Sequence, residues 1–340
     1  MLQDYGSLER WIATQLGVGN GEVYLTPLSG DASFRRYFRI SLSGQKYIAV
    51  YSPPKTENNS AFLEVSCLLD QNQIRVPRVQ AVNLDLGYML LEDLGDLLLY
   101  DCQSQSTYFE SALDMLFGFL RIDPFQMTLP TYSAEVLENE MNLFSDWFIS
   151  ELLRLKLGAD NRKLFESIFH LLVESAIEQP QVFTHRDFHS RNIMCLSDGE
   201  CAAIDFQDAV LGPVTYDFVS LVKDCYIARS QEEVEYWSKG YREQLIQREL
   251  LSEACDEPTF FRWVDLMGLQ RHLKVLGVFS RLHLRDKKSI YLNHLPLVFH
   301  YVFEVVYRYA EFNPLMREFY NCLENFIRPV VFNQPWMKSR

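Results

Sequence analysis

His185, Asp187 and Asn192 stand in the order H-x-D-x-x-x-x-N, and Asp205 closes the apolar run Ala203-Ile204-Asp205-Phe206 a short turn later. Two acids and one amide thereby fall on a loop and on the end of the strand that follows. Phosphoryl transfer from ATP needs such a set: a carboxylate orients the attacking hydroxyl, and an Asn and an Asp hold magnesium on the phosphates. Asp187 is the candidate base, and Asn192 and Asp205 are the candidate metal ligands. The order of the three is far more specific than any one of them.

Composition narrows the class. A chain of 340 residues holds one large domain or a two-lobed one. Its 48% hydrophobic and 23% charged residues are those of a folded protein. A net charge of −13 argues against a nucleic-acid partner. The absence of an apolar run of membrane length argues against a membrane span. The acidic start, MLQDYGSLERW, lacks the pattern of a signal peptide. Seven cysteines without a C-x-x-C pair signal neither a disulfide frame nor a zinc site. Reduced thiols in the cytoplasm are the expectation.

Periodicity places these residues in an α+β chain. A helix is expected at 7–16, strands at 23–28, 34–42 and 47–51, a helix at 61–70, and strands at 79–82 and 88–91. After Gly95 helical patterns dominate, at 105–121, 134–156 and 160–178, then 216–226, 231–250, 258–284 and 295–326. The catalytic segment interrupts them as strand, loop and hairpin. A small β-rich N-lobe, 1–94, would bind nucleotide, and a larger, mostly helical C-lobe, 95–340, would hold the catalytic and acceptor-binding residues.

The HRD-F-H-S-R-N and IDF-Q-D-A motifs, with VTYDFVSL downstream, resemble those of the aminoglycoside phosphotransferase-like small-molecule kinases. That resemblance covers nearly the whole chain and implies a bilobal protein-kinase-like fold using ATP and Mg2+. Within the family, SGDASFRRYFRI and DLMGLQRHLKVLGVFSRLHLRDKKSIYL are similar to the bacterial kinases of cell-wall recycling. Those enzymes phosphorylate the anomeric hydroxyl of N-acetylmuramate and N-acetylglucosamine, so the implied partner is a small amino sugar.

The resemblance distributes further roles. On hydrogen-bonding grounds His185 is expected to brace the catalytic loop rather than titrate in catalysis, and Asp217 either braces it too, as the resemblance implies, or is a helix N-terminal charge. Gly30, Asp31 and Ser33 either form an ordinary polar turn or fold over the nucleotide phosphates. Of Arg35 and Arg36, one should face the cleft and the other solvent. The backbone of Glu92 and Leu94 would meet adenine. Where the family carries a phosphate-contacting strand lysine, this chain has Tyr51, and an arginine of the phosphate loop is the natural substitute.

Acceptor recognition is the least determined part. Arg271, Lys274, Arg281 and Arg285 form one stripe on an otherwise apolar helix. They either pair with acids of neighbouring helices or, at Arg271, meet an anionic group such as the lactyl carboxylate of N-acetylmuramate. Asp208, Glu140 and Trp147 are candidates for sugar contacts, with packing as the other reading. An aminoglycoside or other small alcohol is the alternative acceptor, and a nucleotide-binding regulator without turnover is the remaining one. A protein kinase fits less well, because no A-P-E element follows Asp205.

Overall fold

The computed structural model describes residues 5–19, 21–28, 34–102, 105–123 and 126–337. The chain opens with α1 (Gly6–Leu16), β1 (Thr26–Pro27), β2 (Arg36–Leu42), β3 (Gln45–Tyr51), α2 (Asn59–Gln71), β4 (Val79–Asn83) and β5 (Tyr88–Glu92). Next come α3 (Ser106–Phe119), α4 (Ala134–Leu143), α5 (Ala159–Ile177), β6 (Gln181–Thr184), β7 (Ile193–Cys195), β8 (Cys201–Ala203) and β9 (Val210–Pro213). Then follow α6 (Tyr216–Val222), α7 (Gln231–Gln247), α8 (Glu257–Leu284), α9 (Leu295–Ala310), α10 (Pro314–Cys322) and α11 (Arg328–Phe332). Two compact units result: residues up to Arg121 with Arg191–Ala209, and Ile122–Ser190 with Val210–Arg340.

The first unit is built on an antiparallel sheet of order β1-β2-β3-β5-β4. Ser43 and Gly44, with φ of 50° and 82°, close the β2–β3 hairpin; paired left-handed residues match the right-handed strand twist. Alternation along the strands sends Phe38, Ile40, Ala49, Tyr88 and Leu90 to one face, where Leu8, Ile12 and Ala13 of α1 cover them. Tyr51 belongs to this side, its ring 6.0 Å from those of Tyr5 and Tyr88. Helix α2 starts at Asn58, whose side chain caps Ala61 N–H, and buries Phe62, Val65, Leu68 and Leu69 at helical spacing.

The second unit is helical apart from the antiparallel pair β6–β9. Its centre is α8, which is capped by Asp256 and carries apolar residues on nearly every side. Gly277 permits the closest approach: a Cβ there would stand 2.3 Å from the Leu143 carbonyl carbon. At that point the α4 helix loosens into a π-helix over Phe144–Leu152, so the single helix expected at 134–156 is two segments. The helix expected at 295–326 also breaks. Asn313 caps the N–H groups of Leu315 and Met316, and Pro314 opens a new helix. Among the described residues, no helix is long and apolar enough to cross a membrane.

Candidate active site

Strand β6 delivers the chain to His185, whose backbone N–H donates to Asp217 Oδ2 at 2.5 Å. The N–H of Arg186 donates to Oδ1 of the same carboxylate at 3.0 Å. Arg186 takes a left-handed φ of 79°, a strained conformation for a side chain of its size, and the Asp217 clamp holds it there. The Asp187 N–H then donates to His185 Nδ1 at 3.3 Å, so the imidazole braces the loop through its unprotonated nitrogen. Phe188 is fully buried, and Ser190 N–H donates to Asp224 Oδ2 at 2.8 Å. Burial drives the Asp217 carboxyl up to about 7 despite its two N–H bonds, and the neighbouring charge of Asp187 adds to the rise.

Asp187 itself is half-buried. Burial works against its charge, yet the cations near it, Lys274 foremost, hold the carboxyl below its ordinary range. Lys274 and Arg186 both end on Glu140 Oε1, at 3.0 and 2.5 Å, while the Tyr132 hydroxyl donates to Oε2. Lys274 also donates to the Tyr216 hydroxyl at 3.1 Å. Glu140 thus spends one oxygen on the two cations beside the base and the other on the Tyr132 hydroxyl. Arg271 lies one turn before Lys274 on α8 and is buried. Of the stripe, Lys274 pairs with Glu140 of the neighbouring α4, as the packing reading required, whereas Arg285 pairs with Asp286, the next residue along the chain.

In the first unit, β7 and β8 form a hairpin, and the register extends as Ile204 N–H donates to Asn192 O at 3.0 Å. Asn192 and Asp205 consequently leave the same end of the hairpin. Asp205 is exposed, with φ of 64°, and Gln207 Nε2 donates to its Oδ1 at 2.8 Å. Phe206 points the other way and stacks on Phe62 of α2 with ring centres 5.0 Å apart. An amide oxygen and an exposed carboxylate together are hard donors suited to a magnesium ion that keeps waters and shares phosphates.

Arg35 is buried and Arg36 exposed. The Arg35 guanidinium donates to Ser52 Oγ at 3.2 Å, lies 3.4 Å from Glu57, and sits over the same Phe62 ring at 5.6 Å. Tyr37 lies within reach of both charges: burial raises its hydroxyl, Arg35 opposes the rise and Asp205 adds to it. Gly30, Asp31 and Ser33 lie outside the described residues. The Glu92 N–H is taken by Arg78 O at 2.9 Å and its side chain by Arg75, while Leu94 follows beyond the strand end. Asp208 is exposed. Trp147 lines an open groove of about 540 Å³ with Asp146, Ser150 and Glu151 of the π-helix.

Comparison with known proteins decides the family. The model of the phosphotransferase enzyme family matches residues 25–251. The chain is 39% identical to N-acetylmuramate/N-acetylglucosamine kinase of Pseudomonas aeruginosa, over 86% of this chain and 88% of that one. It is 38% identical to the protein of the same name from Pseudomonas putida, over 84% and 85% of the two chains. This chain belongs to the phosphotransferase enzyme family. Its fold is that of the aminoglycoside phosphotransferase APH(2'')-Ib, with a TM-score of 0.56 at 14% identity over 86% of this chain and 96% of the other.

Within this phosphotransferase the protein-kinase-like fold explains the element order: a small antiparallel sheet precedes a mostly helical region. Several residues that support the site carry no sequence signal of their partners. Asp224, which ties Ser190, lies just beyond the end of α6 at Val222, where the helical pattern at 216–226 gave no sign of a break. Glu57 was one of two acids near α2, and nothing in the sequence paired it with Arg35 rather than a lysine. Lys274 was visible only as part of a stripe. Its position beside Glu140 needed the α4–α8 packing.

Proposed function

We propose that this chain is a kinase that moves the γ-phosphoryl group of ATP to the anomeric hydroxyl of an amino sugar, N-acetylmuramate, N-acetylglucosamine or both. What carries the reading is the name shared by relatives that match most of the chain at 36–39% identity. The geometry adds a carboxylate, Asp187, held anionic at the tip of a braced loop. Asp187 accepts the hydrogen bond of the sugar hydroxyl and orients its oxygen toward the γ-phosphorus. A new O–P bond forms, the bond from phosphorus to the β–γ bridging oxygen breaks, ADP leaves, and the hydroxyl proton passes by way of Asp187. Because the transition state is loose, orientation matters more than proton removal.

Asn192 and Asp205 are the residues that would hold Mg2+, which neutralises phosphate charge when bound. Residues 1–94 are assigned to nucleotide and 95–340 to catalysis and the acceptor. Arg35, fixed by Glu57, supplies the phosphate-directed charge that Tyr51 does not. A polycationic aminoglycoside is disfavoured as acceptor by Arg271, a cation near Asp187 that no ion pair matches among the described residues. The physiological setting we assign is recycling of cell-wall sugars in the cytoplasm.

The test is ATP consumption, with product analysis, on N-acetylmuramate, N-acetylglucosamine and kanamycin. Phosphorylation at the anomeric oxygen of either sugar supports the proposal. Turnover of kanamycin alone ends it. ATP binding without any transfer, unaltered in Asp187→Ala, would identify a regulator instead.

A further inference from the structure

Arg271 is 2% exposed, yet its Nε and Nη1 are sealed from water without a hydrogen-bond partner. What the guanidinium does contact is the Cys225 thiol, a weak acceptor. Among the described residues no carboxylate stands within ion-pair distance of it. The cations nearby are matched: Lys274 and Arg186 by Glu140, and Lys223 by Asp265. Arg271 nevertheless stays charged. Burial opposes the charge, but Cys225, Tyr216, Asp187 and Asp224 lie near enough to outweigh it.

A buried, undersatisfied guanidinium is costly, and a fold retains one where something else completes it. The catalytic loop carries two more such atoms: His189 Nδ1 and Ser190 Oγ are also buried without partners. His189 is pushed toward its neutral form by burial, with Asp224, Asp187 and Arg271 as the charges acting on it. The surroundings of the base therefore combine one unmatched cation with unfilled neutral polar atoms. A neutral polyol would satisfy the second kind of atom but not the first.

We propose that Arg271 receives a carboxylate of the acceptor and so sets the preference for N-acetylmuramate over N-acetylglucosamine. This rests on the amino-sugar kinase reading. The two sugars share one ring and differ in the lactyl ether on O3, whose carboxylate is the single anion that separates them. Guanidinium matches carboxylate in shape and charge. The cation assigned to nucleotide phosphate, Arg35, and the oxygen ligands Asn192 and Asp205 all belong to the other compact unit, whereas Arg271 shares its unit with Asp187. A phosphoryl oxygen is the competing occupant, and the experiment separates the two.

Initial rates are measured for the full chain on N-acetylmuramate, on its uncharged lactyl amide and on N-acetylglucosamine. The expected result is a KM at least tenfold higher for the amide than for the acid, the scale of one charge-assisted hydrogen bond. In Arg271→Met that acid-to-amide ratio should fall toward one, with Arg271→Lys between. The loss in kcat/KM on N-acetylmuramate should exceed that on N-acetylglucosamine by about tenfold or more. The wild-type comparison needs no variant to fold. Equal KM for acid and amide in the wild type, with both sugars turned over, overturns this proposal alone. Equal losses on both sugars in Arg271→Met also overturn it and assign Arg271 to the phosphoryl group. A wild type that phosphorylates neither sugar removes the kinase reading beneath it.

Discussion

Asp217 accepts the backbone N–H of Arg186 at 3.0 Å and so holds the residue before the base in a left-handed conformation. Its other oxygen takes the N–H of His185. Removing the carboxylate orphans two buried donors, at about 1–3 kcal/mol each. Asp217→Ala should lower unfolding free energy by about that amount or more and reduce kcat more than KM. Denaturant titration and steady-state kinetics check both. Intact kcat would show that the clamp does not position Asp187.

Two acids of the second unit impose opposite pH dependences. The Asp217 carboxyl moves from its ordinary 3.8 to about 7. The fold thus favours its protonated form, and that stabilisation is complete below the ordinary value and lost as pH rises through about 7. Glu140 runs the other way. Burial would raise it, but Lys274 and Arg186 bring it below the ordinary range, so its stabilisation is present at neutral pH and disappears on acidification through its depressed pKa. Stability measured against pH should lose its falling limb near neutrality in Asp217→Asn and its acid limb in Glu140→Gln. An unchanged profile in either variant contradicts the assignment.

Glu140→Gln has a second consequence. It leaves Lys274 and Arg186 without their shared anion, a loss of about 3–5 kcal/mol for a broken buried pair. Replacement of both Glu140 and Lys274 by Gln and Met should be milder than Glu140→Gln alone. A double-mutant cycle in urea reads the coupling, and simple additivity would deny it.

Arg35 is held by Glu57 and stacked over Phe62, whose other neighbour is Phe206, beside Asp205. If its charge serves the nucleotide, Arg35→Met should weaken ATP and ADP by about tenfold or more while adenosine binds as before. Calorimetric titration with the three ligands decides it. Equal weakening of adenosine would reduce Arg35 to a packing role.

Much of this site was legible because it is local in sequence. The spacing of Asp187, Asn192 and Asp205 is a chemical signature whatever surrounds it, and strands β2 and β3 follow from their branched and aromatic residues, while the tightness of the Ser43-Gly44 turn between them came from the structure. Partners distant in sequence were not legible. Arg186 reaches Glu140, Ser190 reaches Asp224, and Arg35 reaches Glu57 by way of tertiary packing. Helix ends failed for a related reason. The π-helix after Leu143 arises where α8 presses Gly277 against that backbone, and hydrophobic spacing within α4 carries no trace of it.

The most direct measurement is the turnover of Asp187→Asn with ATP and N-acetylglucosamine, alongside its affinity for ATP. An orienting carboxylate predicts a fall in kcat of about 10²–10⁴ with ATP binding nearly unchanged. Turnover within a few-fold of the wild type would contradict the account.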